Sequence, residues 1–379
     1  MKVGIIGRTN VGKSTFFKAL TLEDIQIEDR PFTTIEPNHG VGYVAIECPE
    51  KELGVKCEPR NAPCRDGVRM IPLDVIDVAG LIEGASSGKG LGNKFLSDAM
   101  EADGLIEVID ISGRTNGSGA PATDYDPALD IGMVKNELSL WVRSIILRTK
   151  MRSGDDVANS VYKSLSGIKV RFDTVKDGVK ALAIKELNED NSIRLCEYIL
   201  ERDKPIVVAC NKMDASADTA FRIDKLSSKF AYRFLPCSAA SELTLKEADK
   251  HGFISYVGNA FKLLKQPNQE QQNALDLIKG IMDKYGGTGV QNVLNTLVLD
   301  VMKYKVVYTV EDEKKLCDGR GGVLPDAYLV EPSATPKDVA SLVHSSVLER
   351  YKGAIDCRTG LKIKNDEPVK NGQIIKIIV

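Results

Sequence analysis

The sequence opens with a short apolar stretch that runs directly into a glycine-rich loop: Lys2-Val3-Gly4-Ile5-Ile6, then Gly7-Arg8-Thr9-Asn10-Val11-Gly12-Lys13-Ser14. The loop has the pattern G-x-x-x-x-G-K-S, and the run from Thr15 to Leu20 after it has helical character. A strand, such a loop and a helix in this order surround the phosphates of a nucleotide with backbone N–H groups. We therefore predict that Gly7 to Thr15 bind phosphate, that Lys13 reaches the β- and γ-phosphates, and that Ser14 ligates Mg²⁺.

Two further segments have the composition of nucleotide-sensing switches. Thr34 lies in Phe32-Thr33-Thr34, in a loop after the first predicted helix, where a threonine can reach Mg²⁺ and sense the γ-phosphate. Asp77 and Gly80 belong to Asp77-Val78-Ala79-Gly80, at the end of a predicted strand. We expect Asp77 to hold Mg²⁺ through water and the Gly80 N–H to bond the γ-phosphate. Lys13, Thr34 and Gly80 are thus the predicted catalytic residues.

The base-binding segment is predicted at Asn211-Lys212-Met213-Asp214, which ends a buried strand. A carboxylate at Asp214 can accept hydrogen bonds from the ring N–H and the exocyclic amine of guanine, a donor pair that adenine lacks. Asn211 and Lys212 are predicted to contact the nucleotide as well. In Ser238-Ala239-Ala240, Ser238 and Ala239 end another strand, where a backbone N–H can meet the guanine carbonyl. Together these motifs predict a guanine-nucleotide switch.

Beyond the general motifs, the sequence resembles the Obg-like GTPases and their YchF branch in particular. The resemblance rests on Pro31-Phe32-Thr33-Thr34-Ile35-Glu36-Pro37-Asn38, Asp77-Val78-Ala79-Gly80-Leu81, Gly84-Ala85-Ser86 and Gly88-Lys89-Gly90-Leu91-Gly92-Asn93. It implies a cytosolic, translation-associated P-loop NTPase that is linked to ribosomes or ribosomal RNA and carries a terminal TGS module. Many YchF proteins have a degenerate fourth motif ending in Glu and prefer ATP. Here Asn211 to Asp214 is intact, which favours GTP.

The position that follows Asp-x-x-Gly is Leu81, whereas Ras-like switches have a Gln there that orients the attacking water. Leucine cannot form this hydrogen bond, so we expect slow intrinsic turnover. Resemblance to GTPases with the same replacement implies a K⁺ site at Asn10. The alternative is that Asn10 only hydrogen-bonds within its loop and that a partner supplies the missing group. Gly84 to Gly92 is interpreted as a mobile second switch or as an ordinary flexible loop.

The composition is that of an ordinary globular protein: 379 residues, 43% hydrophobic, 27% charged and a net charge of −2. Nothing in the overall charge favours DNA or an acidic membrane as a partner. The chain has no apolar run of membrane-spanning length, and Met1-Lys2 leads straight into a predicted core strand. We therefore expect a cytoplasmic protein.

Three of the eight cysteines, Cys48, Cys57 and Cys64, lie close together in the sequence between the second and third predicted strands. Their spacings do not match the short knuckles of structural zinc sites, and the sequence shows no fourth ligand near them. We interpret them as part of a structural or redox-sensitive loop rather than as a metal site.

The fold class predicted is α/β: a P-loop G domain with a mostly parallel sheet and helices on both faces, a helical insertion, and a C-terminal α+β domain of β-grasp, TGS-like character. About 90 residues separate two strands that a minimal G domain joins through one helix, which indicates the insertion. The predicted boundaries are 1–112 with 204–266 for the G domain, 113–203 for the insertion, 267–296 for a helical bridge and 297–379 for the β-grasp domain. Helices are expected at residues 133–151, 157–165, 179–187, 255–265, 269–285 and 335–344, and residues 193–200 should return the chain to the G domain.

Three functional hypotheses follow. The first is a Mg²⁺-dependent GTPase switch that binds GTP and GDP and acts on the ribosome. The second keeps this fold but prefers ATP. The third is a nucleotide-gated adaptor that senses a small ligand, stress or redox state through Cys57 and Cys64, with hydrolysis secondary.

Overall fold

A computed structural model describes residues 1–21, 38–78, 80, 83–87, 92–150 and 155–379. Phe32, Thr33, Thr34 and Leu81 therefore lie outside the described residues, as does the whole run Gly88 to Leu91. The described chain divides into two compact units: residues 1–42 with 74–297, and residues 43–73 with 298–379. The predicted domains divided the chain differently, because they assigned residues 43–73 to the G domain.

The first unit is built on a largely parallel sheet with the strand order β2-β4-β1-β5-β6-β7, to which β3 adds an antiparallel edge on β4. The described strands of this sheet are β1 (Lys2–Ile6), β2 (Asn38–Glu47), β3 (Cys64–Arg65), β4 (Val68–Asp77), β5 (Gly104–Asp110), β6 (Ile206–Asn211) and β7 (Arg233–Pro236). All of β3, residues 43–47 of β2 and residues 68–73 of β4 fall in the second unit. The boundary between the two units falls within β2 and β4. Because β1, β4, β5 and β6 run parallel, their carboxyl ends share one edge, and every nucleotide motif that is described begins there.

Helices cover the sheet and form the insertion. They are α1 (Lys13–Thr21), α2 (Glu50–Leu53), α3 (Gly92–Met100), α4 (Ala128–Leu147), α5 (Val157–Ser164), α6 (Phe172–Ala181), α7 (Glu189–Asp203), α8 (Thr219–Ser227), α9 (Ala239–Lys250), α10 (Gln269–Tyr285) and α11 (Val290–Asn295), with 3₁₀ turns at Ala85–Ser87 and Met213–Ala215 and a π-helical turn at Thr296–Val301. One apolar core joins Ile6 and Ile76 of the sheet to Leu138 and Val142 of α4 and Leu195 of α7. The insertion is therefore helical, as predicted, and shares its core with the sheet. No helix in the described part of the chain has the length and apolar character that crossing a membrane requires.

Two predicted helices are wrong. Residues 255–265 form an antiparallel hairpin, β8 (Ile254–Val257) and β9 (Ala260–Leu263), because Gly258 at φ 61° supplies a tight turn between β-branched and aromatic residues. Only the first three residues of the helix predicted over 179–187 are helical, because α6 (Phe172–Ala181) ends there. The chain then turns through Ala183 at φ 50°, and α7 starts afresh behind the capping box of Asn188.

The second unit contains a five-stranded mixed sheet in the order β11-β10-β14-β12-β13. Its strands are β10 (Lys305–Val310), β11 (Asp326–Val330), β12 (Gly353–Asp356), β13 (Lys362–Ile363) and β14 (Gln373–Ile378), and its helices are α12 (Pro336–Val343) and α13 (Ser345–Glu349). β10 pairs parallel with β14 and antiparallel with β11, while Thr335 caps α12 ahead of Pro336. The β-grasp arrangement predicted for this region is confirmed.

Glu107 lies in the wholly buried strand β5, and burial raises the pKa of its carboxyl to about 8, with the nearby Asp130 adding to the rise. A pKa raised in the folded state gives stability that is complete below the carboxyl's ordinary pKa and is lost as the pH rises through 8. We expect Glu107→Gln to remove this loss. The variant should gain up to about 4 kcal/mol over the wild type near pH 8 and little near pH 5.

Thermal melting at the two pH values measures the difference, with exposed Glu197→Gln on α7 as the matched control. An equal shift of the melting temperature at both pH values would contradict a Glu107 carboxyl whose pKa is raised by burial.

Candidate nucleotide-binding site

The phosphate loop leaves β1 and enters α1 through two glycines that no other residue can replace without strain. Gly7 has φ 139°, and a Cβ built on it would lie 2.3 Å from the Val108 carbonyl oxygen of β5. Gly12 has φ 98°, and its Cβ would lie 2.3 Å from Nδ2 of Asn211. The loop therefore packs its backbone directly against the neighbouring strands, with the N-terminus of α1 at its end.

Lys13 is buried within this loop and its Nζ donates to the Arg8 carbonyl, 2.6 Å away. Burial lowers the pKa of the lysine to about 8, and Asp77 partly opposes this shift. Gly80 is close by, since a Cβ placed on it would be 3.4 Å from the Lys13 Nζ and 3.0 Å from Oγ1 of Thr9. Two of the predicted catalytic residues, Lys13 and Gly80, therefore lie next to each other. The third, Thr34, lies outside the described residues.

Ser14 and Asp77 come together from α1 and β4, with the Ser14 hydroxyl donating to Oδ2 of Asp77 at 3.0 Å. Asp77 is 1% exposed, and its Oδ1 has no hydrogen-bond partner among the described residues. Burial raises the pKa of this carboxyl, while Lys13 acts in the opposite direction. A hydroxyl oxygen beside an unpaired carboxylate oxygen fits the hard-oxygen preference of Mg²⁺.

Asn211 connects the three nucleotide motifs. Its Nδ2 donates to the Val11 carbonyl at 2.9 Å, and its Oδ1 accepts from the Ala239 N–H at 3.0 Å. Ser238 caps α9 by accepting from the Ser241 N–H, which fixes the loop that contains Ala239. The predicted base-binding residues are thus held against the phosphate loop.

Lys212 adopts φ 62° and extends its Nζ over the same loop. It donates to the Asn10 carbonyl at 2.9 Å, to Asp110 Oδ2 at 3.0 Å and to Thr115 Oγ1 at 2.9 Å. Although burial alone would raise the pKa of Asp110, hydrogen bonds from its neighbours, Lys212 among them, lower it. Asp214 is exposed just beyond, and no hydrogen bond or ion pair joins its carboxylate to another described residue. Its acceptor oxygens are available to a base.

The long loop that starts the insertion also contacts the phosphate loop, which the sequence analysis did not anticipate. Arg8 donates to the Gly117 carbonyl at 2.8 Å and forms a 2.8 Å ion pair with Asp130 of α4. The Asn10 amide donates to the Gly119 carbonyl at 2.9 Å. The partner of the Asn10 NH₂ is therefore in the insertion loop, not within the phosphate loop.

A second unanticipated contact joins the insertion to the segment after Gly80. Glu137 of α4 is buried, and its two carboxylate oxygens accept the N–H groups of Gly84 and Ser86, each at 2.8 Å. The start of the predicted second switch is thus held by a charged side chain of the insertion. No local pattern reveals this role, because Glu137 lies about 50 residues away in an amphipathic helix.

Comparison with known proteins places the chain among GTP-binding proteins, in agreement with the nucleotide motifs described above. A family profile described as "50S ribosome-binding GTPase" matches residues 2–140, and one described as "Obg-like GTPase YGR210-like, G4 motif-containing domain" matches residues 209–312. An uncharacterised GTP-binding protein of Methanocaldococcus jannaschii is 40% identical over 99% of this chain and 98% of its own length.

The chain belongs to the Obg-like GTPases of the YchF type. Another member of this family, the ribosome-binding ATPase YchF of Haemophilus ducreyi, is 40% identical over 68% of this chain and 70% of its own. The structure of a GTP-binding protein from Pyrococcus horikoshii superposes with a TM-score of 0.78 at 33% identity, covering 100% of this chain and 99% of the other. Membership of this Obg-like family makes the chain a GTP-binding P-loop protein of a nucleoside-triphosphate-hydrolysing class.

Proposed function

We propose that this Obg-like protein is a Mg²⁺-dependent GTPase that prefers guanine, turns over slowly by itself and acts as a switch on the ribosome. The observation that carries the guanine preference is the exposed Asp214 carboxylate beside the anchored Asn211 and Lys212. A carboxylate in that place satisfies the two N–H donors of guanine and is left unpaired by adenine.

The residues of the first unit supply most of what cleavage of the β–γ bond requires. Lys13 would exchange its bond to the Arg8 carbonyl for phosphate oxygens, and Gly80 lies beside Lys13 Nζ, where its N–H can bond a γ-phosphate oxygen. Ser14 and Asp77 would hold Mg²⁺, which when bound neutralises charge on the β- and γ-phosphates. Leu81 follows the Asp-x-x-Gly segment and cannot orient the attacking water by a hydrogen bond, and we infer that a partner completes the site.

The ribosome is proposed as that partner because the profile matching residues 2–140 is that of a 50S ribosome-binding GTPase, and because the Haemophilus relative is named for ribosome binding. K⁺ is proposed as an additional ion at Asn10. A cytoplasmic location follows from the same proposal.

The proposal predicts that GTP turnover in K⁺ buffer rises by about tenfold or more on addition of ribosomes or one of their subunits, since supplying a missing catalytic group in trans has effects of this size or larger. Lys13→Ala should abolish the rise, and replacing K⁺ with Na⁺ tests the ion at Asn10. Steady-state phosphate release measures the effect of ribosomes, of Lys13→Ala and of the change from K⁺ to Na⁺. Flat, slow turnover with tight GDP binding would instead favour the adaptor hypothesis.

An ATP-preferring enzyme is the second candidate, since the Haemophilus relative is named an ATPase. Competition of ADP and GDP for the nucleotide-free protein separates the two. Equal affinities would refute the role we assign to Asp214.

A further inference from the structure

Four side chains of the second unit converge where β2 ends and the chain passes through α2 toward β3. They are Cys48, Glu50, Cys57 and Cys64, and one ligand atom from each lies within 4.8 Å of the others. We propose that this Cys₃Glu cluster binds a structural Zn²⁺ ion. The spacing of the three cysteines indicates no fourth ligand, but the fold supplies one as Glu50, two residues after Cys48.

The dimensions of the cluster suit a tetrahedral ion. Zinc–sulfur bonds of about 2.3 Å place tetrahedral ligand atoms about 3.8 Å apart, so the observed separations need to close by about 1 Å at most. Glu50 is already oriented for this, because its Oε2 accepts the Cys57 N–H at 2.9 Å while its Oε1 lies 3.6 Å from the Cys64 sulfur. The Cys57 N–H holds one carboxylate oxygen while the other faces the thiols. Outer-shell hydrogen bonds of this kind typically orient metal ligands.

Beside the cluster lies a buried guanidinium, that of Arg69, which donates to the Leu324 carbonyl and interacts electrostatically with Glu50 without forming an ion pair with it. Arg69 is completely buried, its Nη1 lies 3.5 Å from the Cys57 sulfur, and no carboxylate among the described residues is within ion-pair distance of it. Its Nε has no hydrogen-bond partner in the described chain. A buried, unpaired guanidinium is costly unless an anion lies beside it.

Zinc bound by three thiolates and one carboxylate provides that anion, because the ligands contribute four negative charges and the ion two positive ones. The buried Tyr308 also has an unsatisfied polar group, because its hydroxyl has no hydrogen-bond partner among the described residues. The centre of its ring lies 5.7 Å from the Arg69 guanidinium carbon. Both groups are hydrogen-bond donors of the kind that surround zinc thiolates.

Four protein ligands leave no open coordination position, so the ion would be structural rather than catalytic. Thiolate ligands in a tetrahedral set favour zinc over the hard cations Mg²⁺ and Ca²⁺. Cys48 and Cys57 belong to the apolar cluster that includes Ile71, Val306 and Ile374. Zinc would therefore connect the irregular segment 48–65 to the core of the second unit, independently of the nucleotide site.

The experiment is elemental analysis of the full-length protein purified without chelator, compared with three cysteine variants. We expect about one zinc per chain in the wild type and less than about a tenth of that in Cys57→Ser and Cys64→Ser. Cys357→Ser is the matched control, because Cys357 is a half-buried free thiol of the same unit outside the cluster. It should retain its zinc.

Loss of folding is separated from loss of ligands by a second readout. Chelated wild-type protein is titrated with Co²⁺, and a thiolate-to-cobalt charge-transfer band should appear in the near ultraviolet. At saturating Co²⁺ the band should be weaker by roughly a third in Cys64→Ser, where two of the three thiolates remain, and unchanged in Cys357→Ser. We expect GDP affinity to be the same in the wild type and in all three cysteine variants, which would show that the first unit is intact in each. Wild-type protein that contains no zinc and gains no charge-transfer band with Co²⁺ would overturn the proposal, as would a native Cys57–Cys64 disulfide found by mass spectrometry of unreduced protein.

Discussion

Asp214→Asn is expected to lower GDP affinity by about 100-fold or more, which corresponds to about 2.7 kcal/mol, and to create affinity for xanthosine diphosphate. The aspartate presents two acceptor oxygens to the ring N–H and the 2-amino group of guanine. An asparagine replaces one acceptor with an NH₂ donor, so a donor then faces a donor. Xanthine carries a carbonyl in place of that amine and restores the match.

Isothermal titration of the variant with GDP, ADP and xanthosine diphosphate measures these affinities. Asp218→Asn is the control, because Asp218 is also exposed, lies four residues further along the same loop and caps α8 without a side-chain hydrogen bond. A variant at Asp214 that bound GDP as tightly as the wild type would show that the base is held elsewhere.

The sequence predicts those parts of the site whose backbone conformation is set by the residue types of one short segment. The loop from Gly7 to Ser14 needs positive φ at its glycines and a helix start at Lys13, and these requirements are visible in the residue types. Asp77 could be placed for a similar reason, since it ends an apolar strand. Parallel pairing then brings it to the same sheet edge as β1.

Other features depend on contacts between distant segments and left no local signal. Glu137 and Asp130 are unremarkable acidic residues of an amphipathic helix until the fold brings α4 over the phosphate loop and the segment after Gly80. Glu50 became a ligand candidate only when α2 and β3 placed it beside the Cys64 thiol. The hairpin at 254–263 differs from the helix that the sequence predicts because a short apolar run fits both the helical and the strand period, and the Gly258-Asn259 turn selects the hairpin.

Gly12→Ala is the second variant for which we expect a large effect, a loss of about 100-fold in affinity for both GDP and GTP. The added methyl would lie 2.3 Å from Nδ2 of Asn211, on a backbone whose φ of 98° already disfavours a side chain. Relief requires Asn211 to move, which breaks its bonds to the Val11 carbonyl and the Ala239 N–H. One methyl group thereby disturbs the phosphate loop and the base-binding loops together.

Fluorescence titration with a labelled guanine nucleotide, alongside thermal melting, distinguishes a damaged site from an unfolded protein. Gly280→Ala is the matched substitution, because a Cβ at Gly280 in α10 meets no atom within 4 Å. Alanine should stabilise that helix by about 0.5–1 kcal/mol and leave nucleotide affinity unchanged. If Gly12→Ala weakens the binding of guanosine as well as that of pyrophosphate, measured separately, Asn211 is the link we describe. Loss of pyrophosphate binding with guanosine binding unchanged would contradict it. Unaltered GDP affinity in that variant would mean instead that the loop relaxes without involving Asn211.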